Sequence, residues 1–399
     1  MTPRAILFVN YGDEPFGGQE RVVLDLIDGL DRTRFRPVMW CNAPSLATAC
    51  TDRGVPVVCS HLAHFLDYSS PAFNPRRWLA LVREGRRLIA RHKAAVVHAN
   101  GAAPLQWMVP AARLAGIPVL GHIHTRYLRR SRYVLLCHAA DLIVGVSRRT
   151  IAPFLDDGMA EARVRVVHNG IDTRRLGGQG EDLRARFGIG REVLLLLSVG
   201  ALIPLKAHDV LLHALASLPP SDPAPRLLIV GDGPSRGDLE RLAAALGLAD
   251  RVQFLGRLAD PSSAYRAADL FVLPSRQEGF PLVVLEAGWF GLARIATDVG
   301  GVPEAVRHGE TGLIVPPDDV RALAEAIARL GADAQMRRRF GEAARAEVIA
   351  RFTLTRMVDT FQDLYAELAK ASGRGSVLRP YLRLFGSWPR ERALGGGAP

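Results

Sequence analysis

Lysine is almost missing from this sequence: of 51 basic residues only Lys93, Lys206 and Lys370 are not arginine, so a lysine placed in a loop beside a helix stands out. Cysteine is scarce as well. The four, Cys41, Cys50, Cys59 and Cys137, show no C-x-x-C spacing, which argues against a zinc knuckle or a disulfide scaffold and predicts reduced thiols in a cytoplasmic protein. The longest apolar run, 193–203, falls far short of the roughly 20 residues a membrane-spanning helix needs. The opening MTPRAILFVNYG is too short for the core of a signal peptide, lacks a cleavage pattern, and reads as a first buried strand. No Asp-x-Asp pair occurs anywhere, so the short carboxylate clamp for a divalent cation is absent and no metal or cofactor is expected.

What is present is an ordinary globular composition, 48% hydrophobic and 23% charged, in a chain of 399 residues, long enough for two cores. Charge is unevenly spread. Residues 1–180 hold 24 Lys and Arg against 14 Asp and Glu, residues 181–371 hold 22 against 25, and the Gly, Arg and Pro-rich tail 372–399 holds five against one. The positive first half predicts an anionic partner: phospholipid, lipid-linked phosphate or acidic polysaccharide. Residues 75–93 read as an amphipathic helix with Arg76, Arg77, Arg83, Arg87 and Arg91 opposite an apolar face, either a solvated helix or a membrane-surface one. Arg126, Arg129, Arg130 and Arg132 form a second cluster, but aromatic residues are too few there to favour nucleic acid.

Strand-like and helix-like segments alternate from the start, which predicts an α/β chain with parallel sheets. The first unit is expected to cover 1–180 and the second 181–371, with 173–191 as a glycine-rich connection and 372–399 as a poorly ordered tail. Gly17 and Gly18 stand after the first strand and before a helix, where backbone N–H groups can approach a phosphate, although from the two glycines alone a plain turn is the better reading. His122 and His124 end a buried strand, at the sheet edge where open α/β sheets bind ligands. Lys206 lies where a loop becomes a helix, a place for an ammonium on a diphosphate. GDGP at 231–234 lacks the third glycine of a dinucleotide site and reads as a turn.

The most informative stretch is PSRQEGFPLVVLEAGWFG, 274–291. Glu286 interrupts an apolar run and needs hydrogen-bond donors that its neighbours cannot supply. Pro281 marks a helix start, leaving Glu278, Gly279 and Phe280 in a loop and the free N–H groups of Leu282 and Val283 facing an anion. Eight helical residues span about 12 Å, enough for two carboxylates to bracket a diphosphate and its sugars.

The Glu278–Glu286 spacing within EGFPLVVLEA, together with GGxE at Gly17–Glu20, GHIHT, HNGID and Lys206, resembles the retaining glycosyltransferases of family 4 over most of the chain. The resemblance implies a GT-B fold, two Rossmann-like domains facing across a cleft, with the last helix crossing back to the first. It implies a retaining, metal-independent transfer of sugar from a UDP- or GDP-sugar to a lipid-linked or polysaccharide acceptor in cell-envelope or exopolysaccharide synthesis, on or near the inner face of the membrane. By the same resemblance, His124, Glu278 and Lys206 are catalytic, and Gly17, Gly18, Lys206, Glu278, Gly279, Phe280, Leu282, Val283 and Glu286 hold the donor. The chain departs from the family at Ala201, where an arginine is common, and at Ala207, where glycine is frequent; Arg276 or Arg257 then become candidates to complete the phosphate clamp. A sugar-nucleotide epimerase and a weakly catalytic nucleotide-sugar or lipid-binding scaffold remain alternatives.

Overall fold

The computed structural model describes residues 2–371 except 13, 15, 16, 63–73 and 179; the tail expected to be poorly ordered lies outside them. Among the described residues two all-parallel sheets form. The first has the order β3-β2-β1-β4-β5-β6-β7, from β1 (Arg4–Asn10), β2 (Phe35–Cys41), β3 (Val57–Cys59), β4 (Ala94–Asn100), β5 (Val119–Ile123), β6 (Leu142–Gly145) and β7 (Val164–Val166). The second runs β10-β9-β8-β11-β12-β13, from β8 (Leu195–Val199), β9 (Arg226–Val230), β10 (Val252–Gly256), β11 (Leu270–Leu273), β12 (Ala293–Thr297) and β13 (Gly312–Val315). This is the GT-B architecture expected. The continuous apolar strands are explained by it: β1 is buried from Ala5 to Asn10 because helices cover both faces of its sheet.

Strand order reverses twice, between β1 and β4 in the first sheet and between β8 and β11 in the second. At each reversal the connections leave in opposite directions and open a crevice beyond the strands' carboxyl ends. Asn10 and Asn100 end the two strands of the first crevice, and the loops after β8 and β11 carry Lys206 and Glu278 into the second.

The last helix, Leu354–Ala371, is built into the first unit, not the second. Met357, Val358, Phe361, Leu364 and Tyr365 join the core around β1, β2 and the helix Gly18–Gly29, and the linker is bridged to the helix start where Ile171 pairs with Thr353. The glycine-rich connection is partly structured. Asp172 caps a short turn Thr173–Leu176 and Asp182 caps the helix Leu183–Arg186, each carboxylate accepting from backbone N–H groups ahead of it. No helix among the described residues is long and apolar enough to cross a membrane.

Candidate functional site

The helix Leu282–Trp289 places its residues by period. Val284, Leu285, Ala287 and Gly288 turn into the core, so Leu282, Val283, Glu286 and Trp289 share the half-buried face. Pro281 stands just outside the helix as its cap, one position earlier than its usual first-turn place. Glu286 therefore looks out on the same side as the free N–H groups at the helix start. Its donor is Tyr265, whose hydroxyl lies 2.8 Å from Oε2. Burial holds that phenol well above its ordinary range, so it stays protonated and donates. Burial also raises the Glu286 carboxyl, against the pull of Tyr265, Arg175 and Arg21. The last two come from the linker and the first unit: Arg175 is bonded at 2.8 Å to the buried Asp25 of the helix Gly18–Gly29.

Glu278 and Lys206 are brought together. The Lys206 ammonium donates to Glu278 Oε1 at 2.6 Å, and the Ser275 hydroxyl donates to the same oxygen at 2.7 Å. An ammonium has three donors, so Lys206 can hold Glu278 and still present N–H groups to a phosphate. Its loop, the turn Pro204–Lys206, is fastened by Arg276, which donates to the Pro204 carbonyl and to the carboxylates of Asp209 and Asp318. Arg276 is thus a strut under the lysine loop and not a free phosphate ligand. Arg257 is exposed in the loop after β10, and Ala201 leaves its position without a charge. Ala207 follows Lys206 in the left-handed region, φ 52°, where a glycine fits without strain.

Facing them are the residues of the first sheet. His124 Nε2 lies 2.8 Å from Asn100 Oδ1, while Asn100 Nδ2 donates to Asn10 Oδ1 at 2.7 Å and Asn10 Nδ2 reaches Glu20 at 3.4 Å. Because Asn100 spends its amide hydrogens on Asn10 and the Gln19 carbonyl, its oxygen must accept, so this network assigns the proton to His124 Nε2. Burial holds His124 at about 3, and the ring is neutral with Nδ1 left as an acceptor. His122 is buried behind it, its ring 4.1 Å from His124 and 5.2 Å from His98, and His98 in turn bonds the Tyr365 hydroxyl at 2.6 Å. His122 is a core residue here.

Several expected donor-binding positions are occupied by protein. The Gly17 N–H is taken by the Glu20 carboxylate at 3.0 Å, which leaves Gly18, where a side chain would meet open space, as the residue of that loop facing outward. Gly279 packs against the His124 carbonyl so closely that a Cβ would fall 1.8 Å from that oxygen. The Phe280 ring is buried against His168 and Phe352, and its carbonyl accepts from Asn169, so its side chain belongs to the core. Asn10, Asn100, Ser275 and Tyr265 were not read from the sequence. The asparagines had a signal, a polar residue closing an apolar strand in FVN and HAN; Tyr265 had none, being 21 residues from its partner. Among the described residues no group of three His, Cys, Asp or Glu is placed to hold a metal ion.

Both halves match known families. Residues 16–175 match the model described as Glycosyltransferase Family 4 and residues 180–347 the one described as Glycosyl transferases group 1. A GDP-mannose-dependent alpha-(1-6)-phosphatidylinositol monomannoside mannosyltransferase of Mycobacterium tuberculosis is 36% identical over 67% of this chain and 74% of its own length. A D-inositol 3-phosphate glycosyltransferase of Saccharomonospora viridis is 38% identical over 54% of this chain and 52% of its own. An exopolysaccharide phosphotransferase of Streptomyces coelicolor is 36% identical over 59% of this chain, which spans 24% of that longer protein. Among solved structures, Anabaena HepE in complex with UDP superposes with a TM-score of 0.77 at 23% identity, covering 91% of this chain and 100% of that one. The sucrose-phosphate synthase of Thermosynechococcus elongatus gives 0.75 at 24%, covering 92% and 100%. With matching models over both halves and a mannosyltransferase relative aligned over most of its length, the chain belongs to glycosyltransferase family 4.

Proposed function

We propose that this protein transfers a sugar from a UDP- or GDP-sugar to a lipid-linked or polysaccharide acceptor, with retention of anomeric configuration and without a metal ion. The observation that carries the reading is the Lys206–Glu278 pair at one crevice, set with Glu286 in the helix that follows and His124 at the other crevice. In this reading Glu286 accepts the ribose hydroxyls, with Tyr265 holding its second oxygen. Lys206 and the N–H groups of Leu282 and Val283 meet the diphosphate, where leaving-group charge grows as the glycosidic bond breaks. Glu278, positioned by Lys206 and Ser275 through one of its oxygens, accepts hydroxyls of the donor sugar. Neutral His124 presents Nδ1 to the same sugar, and the departing phosphate oxygen takes the acceptor's proton, so no side-chain base is needed.

A solvated arginine face on the helix Pro75–His92 supports peripheral docking of the first half on an anionic membrane, the place to meet a lipid-linked acceptor. The relative named for phosphatidylinositol monomannoside agrees with such an acceptor, while the one named for D-inositol 3-phosphate points to a water-soluble phosphate.

The test is incubation with a pool of UDP-, GDP- and ADP-sugars and membrane extract, with mass spectrometry of the products. A glycosylated product that still forms in EDTA is expected. Donor rearranged without acceptor would mean an epimerase, no turnover a binding scaffold, and activity lost to EDTA and restored by Mn²⁺ would overturn the metal-free phosphate site.

A further inference from the structure

The cleft between the two units has a volume of about 710 Å³ and opens on Glu278 and Gly300 on one side. Its other wall belongs to the first unit and carries four arginines, Arg126, Arg129, Arg132 and Arg149. They are not equivalent. Arg132 is buried and committed, its guanidinium 2.7 Å from Asp157 and bonded to the Tyr127 carbonyl. Arg129 reaches the same carboxylate only at 3.3 Å and is largely exposed. Arg149 bonds Asp298 across the cleft at 2.6 Å, with both side chains about half exposed. Arg126 is exposed and has no ion-pair partner among the described residues. Asp156 is the other acidic residue on this wall, so four arginines meet three aspartates once Asp298 is counted, and Arg126 and Arg129 are the two least committed.

We propose that this wall is a subsite for a phosphate group on the acceptor, held by Arg126 and Arg129 and completed by Arg149. The inference rests on the glycosyltransferase reading and names the acceptor's chemistry within it. Two weakly committed guanidiniums, Arg126 and Arg129, match a phosphate monoester or diphosphate, whereas one carboxylate would occupy a single arginine. Guanidinium forks donate paired N–H groups to phosphate oxygens, which gives orientation as well as attraction. Arg149 can exchange Asp298 for the phosphate at little cost, because a half-exposed ion pair is weak. The wall faces Glu278 across the cleft, so a phosphate there lies on the acceptor's side of the reacting sugar and apart from the Lys206 site. A smaller hollow of about 200 Å³, lined by Leu183 and Phe254 among others, shares no lining residue with the cleft.

The experiment first fills the donor site with the nucleoside diphosphate that binds, then titrates inorganic phosphate and follows ³¹P line broadening. Wild-type protein should bind phosphate with nucleotide in place, and Arg126→Gln combined with Arg129→Gln should weaken that binding at least ten-fold while nucleotide affinity holds. Phosphate that fails to bind the nucleotide-filled protein, or that binds the double variant equally, overturns the proposal and leaves the donor reading standing. A protein that binds no nucleotide overturns both. Turnover then separates the sources: polyol and sugar phosphates in water form one arm, a short-chain prenyl diphosphate sugar in detergent the other. In the productive arm the variant should raise KM for the phosphorylated acceptor. A neutral or carboxylate acceptor used as well as its phosphorylated counterpart would overturn the subsite.

Discussion

Glu286 shows how a single residue can be costly to the fold and useful to a ligand. Desolvation raises its pKa and Tyr265 holds one oxygen, so the carboxylate is paid for by the phenol and by two arginines at a distance. Glu286→Gln keeps the shape and the Tyr265 bond but accepts hydroxyl donors less strongly, which should weaken nucleotide-sugar binding by roughly 1.5–3 kcal/mol in calorimetry. Unchanged affinity would make the residue structural. Since ionised Glu286 is the stronger acceptor and its pKa is raised, donor affinity should fall on acidification at a higher pH than for an ordinary carboxylate. Ala207 offers a second test. Left-handed backbone costs a non-glycine residue roughly 1–2 kcal/mol, while glycine adds unfolded-state freedom and removes one buried methyl. Ala207→Gly should therefore leave the chemical denaturation midpoint nearly unchanged, and Ala207→Val, β-branched at φ 52°, should lower it clearly.

At the scale of elements, the helix Pro75–His92 is a good case because its two faces have separate consequences. Leu81, Val82, Gly85, Leu88 and Ile89 pack inward, Gly85 against Met108 and Ala111 of the helix Leu105–Ala115, and Asn74 caps the first turn through Arg77 N–H. Arg83, Arg87 and Arg91 are exposed and take little part in that packing; Arg87 meets Glu84 only at 3.3 Å. Replacing all three with glutamine should leave the fold and donor hydrolysis intact but release the protein from anionic liposomes at low salt. Attraction to such a surface decays over about 8 Å at physiological salt, so wild-type flotation should also weaken as salt rises. Wild-type protein that does not float at low salt points to a soluble acceptor.

The whole molecule has a pH signature. His98, His122 and His124 sit in one buried stack joined to the crossing helix through Tyr365 and Phe361, and burial holds His98 and His124 at about 3 and His122 well below its ordinary range. In the unfolded chain each takes a proton near pH 6.5. The folded state then binds fewer protons, so stability falls as pH drops below 6.5. Asp25, raised by burial to about 6, and Glu286, also raised by burial, work the other way, because the folded state gains their protons first. With His208, held by burial at about 4, added to the three stacked histidines, the lowered imidazoles outnumber the two raised carboxyls and predict a net loss: the urea midpoint should be lower at pH 5.0 than at pH 7.0. Equal midpoints would be incompatible with three neutral imidazoles in the core.

The class and the parallel sheets were legible in the sequence, and so were the residues proposed for the site, because these rest on local chemistry: apolar strands alternating with amphipathic helices, a proline before a helix, a carboxylate in an apolar run, a lone lysine at a loop. The sequence also showed the last helix as an element. The tertiary structure decided what those residues touch. Lys206 and Glu278 are 72 residues apart, and the reversal of strand order sets them 2.6 Å from each other. Tyr265 reached Glu286, and Asn100 fixed the proton on His124, through packing that no spacing rule describes. Gly279, named by the resemblance among the residues that hold the donor, packs closely against the carbonyl of His124. Arg276, a candidate phosphate ligand by type and position, is spent on Asp209 and Asp318. A side chain's identity is local and fixes what it can bond; its partner is set by long-range closure of the chain, which no segment contains.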